Sequence, residues 1–309
     1  MAKLRHITFT GIDGRTDLGA LWDIQQQYPI AEFGVLVAKN WRDNGNRYFN
    51  PSYLQSLDRG LNLSAHFCGS IARAAVRGDM EPWREWTRGC TYTPRFSRCQ
   101  LNVATSQDNP DGFYYRDDIC DYFDEVILQQ QSIHDCWLWI GSEYNDHVTV
   151  LIDASGGQGI DTPIEVLPIV HKVGYAGGIN PDNVGDKLRY LLNNPDIGDF
   201  WIDMESGVRT NDWFDLEKVK RVLEICQPII DEKNMNVSSR RLVDCGLSVR
   251  SLNALHANGI ETIGDLTGLS RSDVLRFRTC GHKTLVELDD FLEGLGLSFK
   301  QWASNGNER

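Results

Sequence analysis

Short apolar runs rich in β-branched residues recur along the first 230 residues, and polar or amphipathic stretches separate them. Eight runs have strand length: 6–12, 31–38, 63–67, 98–104, 125–130, 148–154, 173–179 and 199–205. Most are apolar at successive positions, the pattern of parallel strands covered on both faces. Between them, 19–28, 51–61, 69–78, 180–194 and 212–226 carry the spacing of amphipathic helices. Eight β/α repeats in about 230 residues predict a closed (β/α)8 TIM barrel of the α/β class. A doubly wound open sheet is the competing arrangement.

The pattern then changes. Residues 231–242 are polar and without period, and read as a linker. Beyond them, 243–302 hold short helical segments alone: 248–260, 263–268, 270–277 and 283–296. Ser270 and Ser272 offer N-cap oxygens, and Gly259 and Gly296 stand where helix-terminating glycines belong. This predicts a second, small all-α domain, followed by a tail at 303–309.

Charge divides along the same boundary. The net charge is −12, yet residues 240–309 hold nine basic and nine acidic side chains. The whole excess therefore belongs to the first 239 residues, where 34 acidic residues face 22 basic ones. Such a surface repels a nucleic-acid backbone, so any DNA contact is expected from the C-terminal piece. The longest apolar runs are too short to cross a bilayer, and the N-terminus has no signal-peptide core. Eight cysteines lie nine or more residues apart, with no CxxC, HxH or HExxH spacing. Reduced thiols in a cytoplasm are expected, with no metal site and no cofactor.

Barrel chemistry sits at the C-terminal strand ends. Those ends carry Thr10 to Asp13, Lys39, Cys68, Asn102, Gln129 and Gln130, Asp153, Gly177 and Gly178, and Glu205 to Gly207. Glycine-bearing turns after the last two strands, 176–184 and 204–211, present backbone N–H groups suited to a phosphate. A third turn at 154–160 contains Gly156, Gly157 and Gly159 and can fold over a ligand.

Seven of these motifs, in order over residues 6–226, resemble phosphoribosylanthranilate isomerase. They are Thr10-Gly11-Ile12-Asp13, Gly34-Val35-Leu36-Val37, Arg47-Tyr48-Phe49-Asn50-Pro51, Gln100-Leu101-Asn102, Leu151-Ile152-Asp153 with Gly156-Gly157-Gln158-Gly159, Ala176 to Val184, and Asp203 to Arg209. The resemblance implies an Amadori-type sugar isomerisation on a phosphorylated ribose or nucleotide-like metabolite, with Asp153 as general acid. Arg47 would then face the ligand's carboxylate, and Gly156, Gly157, Gly177, Gly178, Ser206 and Gly207 its phosphate. Thr10 replaces the family's cysteine base, and a hydroxyl is too weak an acid to serve. Asp13 or Cys68 can substitute only if one of them points at the same carbon. Glu205 replaces a small residue beside the phosphate turn, so either its side chain points elsewhere or the phosphate is no longer bound.

The helical segment resembles the C-terminal domain of the bacterial RNA polymerase alpha subunit, a helix-hairpin-helix variant. The matching stretches are Leu247 to Leu255, Ile260 to Leu266 and Cys280 to Glu287. On that resemblance Arg250, Asn253, Gly281, Lys283 and Thr284 fall on DNA-contact positions, while the neutral charge implies weak binding, and the same fold also serves protein docking. Three readings stay open: an isomerase, a non-catalytic ligand-binding barrel tethered to DNA or the transcription machinery, or a barrel whose reaction has changed, with Glu205 and Cys68 as new catalytic groups.

Overall fold

All eight apolar runs are strands in a computed structural model, which describes residues 2–42, 47–88, 90, 94–103, 117–131, 147–167 and 172–300. They are β1 (Lys3–Thr10), β2 (Ala31–Val37), β3 (Leu63–Cys68), β4 (Arg98–Asn102), β5 (Glu125–Gln130), β6 (Val148–Asp153), β7 (Lys172–Ala176) and β8 (Asp199–Met204). Neighbours pair parallel in sequence order, and β8 returns to pair with β1, so the sheet closes and the open-sheet alternative falls. The register sets Thr8 beside Asp203 and Thr10 beside Gly34.

Helices cover the barrel where the sequence supplies an apolar stripe. In α1 (Leu18–Gln27), Leu21 and Ile24 are buried, and Asp17 caps the first turn by accepting from the Gly19 and Ala20 N–H groups. A similar stripe of Ile71, Ala72, Ala75 and Val76 buries α2 (Gly69–Val76). The shorter α3 (Glu81–Thr87) is held by aromatic packing instead: Trp83 lies 5.2 Å from Phe67, 5.6 Å from Trp86 and 5.7 Å from Phe96, ring centre to ring centre. Each such pair adds about 0.5–1.5 kcal/mol beyond burial. One turn, α4 (Asp117–Cys120), precedes β5, and α5 (Val184–Asn193) and α6 (Leu216–Ser238) follow β7 and β8.

Two segments differ from expectation. The helix expected over 51–61 is a 3-10 turn at Pro51–Ser56, because Asn50 caps it and the Asp58–Gly60 turn stops it. The stretch expected as a linker, 231–242, is helical as far as Ser238. Its polar residues lie on a helix that is already nucleated by the apolar turns before it. The protein divides into two units, Met1–Gln227 and Pro228–Arg309; the tail at 303–309 lies outside the described residues.

The floor of the barrel interior carries charge rather than aliphatic packing. Arg98, at the start of β4, is buried; its Nη1 donates to Glu32 Oε1 (2.9 Å) and its Nε to Glu125 Oε2 (3.2 Å). Its guanidinium lies 4.3 Å from the Trp201 ring centre, and Lys172 pairs with Glu125. Thr8 and Thr149 donate to Glu32 and Glu125. Trp201 fits because Gly174 faces it: a Cβ there would come within 2.3 Å of the indole.

The second unit closes a small core of Leu242, Leu247, Leu255, Ile263, Leu266, Val274, Leu285, Leu288, Leu292 and Phe299. Its helices are α7 (Val249–His256), α8 (Ile263–Thr267), α9 (Arg271–Leu275) and α10 (His282–Gly294). Reciprocal capping boxes, Thr262 with Asp265 and Ser270 with Asp273, start the two shortest. Ser272 sits inside α9 and hydrogen-bonds Ser270 rather than capping. Gly259 and Gly296 take φ of +74° and +66°, the left-handed turn that ends a helix.

No helix of the described residues is long and apolar enough to cross a membrane. The seven described cysteines are free thiols, and Cys136 lies outside the described residues.

Candidate active site

The C-terminal strand ends surround a cavity of about 420 Å³. Thr10, Arg47, Cys68, Asp153, Gly156, Gly157, Gly178, Glu205 and Ser206 all line it, as do His66, Gln100, Asn102, Gln129 and Asp203. Volume and polarity suit a metabolite-sized ligand.

Asp153 ends β6 and is buried. Its Oδ1 accepts from the Ser155 hydroxyl (2.6 Å) and N–H (3.1 Å); its Oδ2 accepts from Gly157 N–H (2.7 Å) and Gln129 Nε2 (2.9 Å). Three of those bonds shape the turn after β6, where Gly156 and Gly157 take φ of +61° and +80°, and the fourth ties Asp153 to β5. An oxygen that gives a proton to a ligand must first shed one of those donors.

The three glycine turns lock together at this end of the cavity. A Cβ on Gly178 would lie 2.3 Å from Asp161 N, one on Gly159 2.0 Å from Ser206 Oγ, and one on Gly207 1.9 Å from Ile179 O. Gly177 lies just outside the lining, against Thr162. Only glycine permits backbone to approach so closely, and this approach brings the turns after β6, β7 and β8 to one point.

Asp203, on β8, was not singled out from the sequence, yet it carries the most perturbed carboxyl facing the cavity. Burial pushes it up to about 7, the Thr10 hydrogen bond opposes this, and the charge of Glu205 adds to it. Thr10 Oγ1 donates to Asp203 Oδ1 at 2.7 Å. Thr10 is therefore a hydrogen-bond donor that positions a carboxyl, not a base. Gly34 opposite makes the room, since a Cβ there would meet Thr10 Oγ1 and His66 Nε2 within 3 Å. His66 stands 3.9 Å from Asp203 Oδ2 through Nδ1, and burial lowers it to about 4, so it faces Asp203 as a neutral ring. A signal for Asp203 existed: it is an acidic residue just before the C-terminal end of an apolar strand, the end where barrel chemistry sits.

Two candidates for a substitute base fail. Asp13 does not line the cavity: its Oδ2 accepts from Arg209 Nη2 (3.2 Å) and Phe214 N–H (2.7 Å), its Oδ1 from Arg15 N–H. It anchors the hairpin of β9 (Arg209–Thr210) and β10 (Trp213–Phe214) behind the site. Cys68 does line the cavity, but burial pushes its thiol up to about 12, so it stays protonated.

Glu205 points away from the glycine turns, over Gly11, and meets Arg47: Nη1 to Oε1 is 2.8 Å. Arg47 Nε also donates to Asp212 Oδ1 at 2.6 Å. The arginine expected to face a ligand carboxylate is thus matched by two of the protein's own. Burial holds the Glu205 carboxyl above its ordinary value, with Arg47 and Arg209 pulling the other way.

In the helical unit Arg250, Asn253, Gly281 and Lys283 are exposed, and Gly281 opens the 13-residue α10 with nothing within 4 Å of where a Cβ would stand. Thr284 is different. It is 3% exposed, packed inward one turn into α10, so its hydroxyl is not on that surface.

Two family models match the protein. Residues 127–225 match N-(5'phosphoribosyl)anthranilate (PRA) isomerase, and residues 231–294 match the C-terminal domain of the bacterial RNA polymerase alpha subunit. The motifs before residue 127 lie outside the first match. The DNA-directed RNA polymerase alpha subunit of Phocaeicola vulgatus is 58% identical over 59 residues, and that of Flavobacterium psychrophilum 39% identical over 72. These alignments cover 19% and 22% of this protein and 18% and 22% of those subunits, so it spans about a fifth of the curated relatives it matches. Among solved structures, TrpF from Jonesia denitrificans is 17% identical with a TM-score of 0.41. N-(5'-phosphoribosyl)anthranilate isomerase from Pyrococcus furiosus is 15% identical with a TM-score of 0.42. Each aligns with 72% of this protein and with 97% and 98% of its own length. The protein joins a phosphoribosylanthranilate isomerase-like (β/α)8 barrel to a helical domain like the C-terminal domain of the RNA polymerase alpha subunit.

Proposed function

We propose that the barrel takes a phosphorylated ribose or nucleotide-like metabolite and isomerises its sugar, with Asp153 and Asp203 moving the protons. What supports this reading is one arrangement: three glycine turns meet at one end of a cavity that also holds Asp153 and Asp203. The turns suit a phosphate at the place where barrels hold one. Asp153 protonates the ring oxygen once one of its present donors gives way, and the bond from that oxygen to the anomeric carbon breaks. Asp203 takes the proton from the neighbouring carbon, and the enol so formed takes a proton back at the former anomeric carbon to give the ketose. A carboxyl near 7 is matched to that task at neutral pH. Thr10 holds Asp203 in place.

Calorimetric titration of the full-length protein with ribose 5-phosphate and with phosphoribosyl-anthranilate tests this. Micromolar binding is expected, lost in Gly178→Asp, whose side chain collides with Asp161 backbone. No heat at millimolar ligand overturns it. A second reading is favoured by the saturated oxygens of Asp153: a barrel that binds the same ligand without turning it over. Binding without product formation selects this alternative.

For the helical domain we propose weak contact with the DNA backbone through Arg250, Asn253, Gly281 and Lys283. The support is the family match together with the exposure of all four residues, Gly281 leaving room for close approach at a helix N-terminus. Fluorescence anisotropy on an A·T-rich duplex is expected to detect binding that weakens with salt. Lys283→Ala should lower the salt slope by about one. Binding that Lys283→Ala and Arg250→Ala leave unchanged places the contact elsewhere, and a protein partner becomes the reading.

A further inference from the structure

The mouth of the cavity holds a cation that the protein itself has matched. Arg47 engages Glu205 through Nη1 and Asp212 through Nε. A ligand carboxylate arriving there would have to compete with Glu205 and lie beside its charge. Among the described lining residues Arg47 is the one Lys or Arg, against Asp153, Asp203 and Glu205.

The β4–β5 side of the lining is built of amides. Gln100 and Asn102 come from β4, and Gln129, Gln130 and Gln131 from β5 and the residue after it. Gln100 Nε2 donates to Asn102 Oδ1 at 2.9 Å, which leaves Gln100 Oε1 as a buried acceptor without a partner among the described residues. Gln100 is 3% exposed and lines the cavity. A buried acceptor left unpaired is costly, and a donor on a ligand would remove that cost. Asp203 and Glu205 add further acceptors on the β8 side, so the wall as a whole calls for donors and no added negative charge.

We infer that the group seated against Arg47 and the β4–β5 wall is an uncharged donor of N–H or O–H bonds, of which a carboxamide is the simplest, rather than a carboxylate, and that Glu205 selects it. The inference rests on the proposed phosphosugar only for the far end of the ligand. Glu205 acts by filling the guanidinium and by repelling a second anion, and Gln100 by accepting from the donor.

Two matched pairs of compounds test this on the full-length protein by calorimetry. Reductive amination of ribose 5-phosphate with 2-aminobenzamide and with 2-aminobenzoate gives two secondary amines that differ only as carboxamide and carboxylate. The same amines made from ribose lack the phosphate. The carboxamide is expected to bind at least tenfold tighter than the carboxylate within each pair. Glu205→Gln and Glu205→Ser should close or invert that gap, with thermal melting showing that both variants fold. A carboxylate that binds the native protein as tightly as the carboxamide overturns the inference. A gap that both variants leave intact removes Glu205 as the selector. A gap within each pair, with no advantage to the phosphate compounds, sinks the phosphosugar reading while upholding this one. If none of the four binds, both fall.

Discussion

Asp203→Asn is expected to leave the barrel folded, to raise its stability above pH 7 and to take away most of the rate of the proposed sugar isomerisation. The carboxyl stands near 7 because it is buried, with the charge of Glu205 adding to the rise and the Thr10 hydrogen bond opposing it. The folded protein therefore keeps a proton that the unfolded one has already released between about pH 4 and 7. Stability from this group is fully present below the unfolded value and is lost as pH rises through the folded one. The shift is about three pKa units at ~1.4 kcal/mol each, roughly 4 kcal/mol when complete. Asparagine cannot ionise and still accepts from Thr10, so the variant should gain that amount at pH 8 and nothing at pH 4. His66 and His6, both lowered to about 4 mainly by burial, lose stability as pH falls from 6.5 towards 4. That loss is common to both proteins and cancels in the difference. Urea melts followed by tryptophan fluorescence at pH 4, 6 and 8 read it cleanly, because eight of the nine tryptophans lie before residue 228. Removing a general base should cost about 10²–10⁴ in rate and erase the limb of the pH profile near 7. A stability difference independent of pH would mean that the carboxyl is not perturbed. Undiminished turnover would assign the proton transfer elsewhere.

A gain in stability coupled to a loss of activity marks a group kept for function against its own folding cost. The Thr10 to Asp203 bond shows why this was hard to see in the sequence. The replacement of the family's cysteine by Thr10 was visible at once, but its consequence depends on a residue 193 positions away, brought alongside by barrel closure. The same holds for Arg47, whose partners Glu205 and Asp212 lie far along the sequence, beyond the last strand of the closed sheet. Residue type and strand-end position located Cys68, Asp153, Glu205 and the glycine turns, and the family resemblance located Arg47. Pairing decided what each one does.

The strands were legible because a parallel strand buried on both faces is a run of apolar residues, and no partner need be known to recognise it. The second unit was legible for a different reason: its turns are written locally, in Thr262 to Asp265 and Ser270 to Asp273. Illegible elements are those whose stability comes from distant packing. Only Trp83 and Trp86 among the residues of α3 are buried, too few for a period, and it is held by Phe67 and Phe96 from outside the helix. The polar stretch before residue 239 extends a helix begun by Val219, Val222 and Leu223, which a reading of that stretch by itself cannot supply.

Arg98→Ala is expected to cost the barrel about 3–5 kcal/mol at neutral pH, the usual penalty for breaking a buried ion pair from one side. Arg98 is the shared cation between Glu32 and Glu125, and without it the Thr8 hydroxyl is the donor that remains to Glu32. Burial is the largest single influence and raises both carboxyls, but Arg98 acting with the other donors and cations around them, Thr8 and the two histidines at Glu32, Lys172 and Thr149 at Glu125, outweighs it, so each sits below its ordinary value. In the native protein these two groups stabilise above the unfolded pKa and lose that contribution as pH falls. In the variant the balance reverses: burial prevails, the carboxyls take up protons on folding, and the penalty shrinks as pH drops towards 4.5. The difference between native and Arg98→Ala melts should therefore be largest at pH 7.5 and smallest near pH 4.5. Replacing the cation and its first partner together, Arg98→Met with Glu32→Gln, should recover most of the loss, since the desolvation of both charges disappears with their attraction. Cost without recovery would show that the Arg98 stack on Trp201, 4.3 Å from the ring centre, matters more than its charge. A loss of less than about 1 kcal/mol, the range of solvent-exposed pairs, would mean that water reaches the barrel floor and the ion pairs are screened.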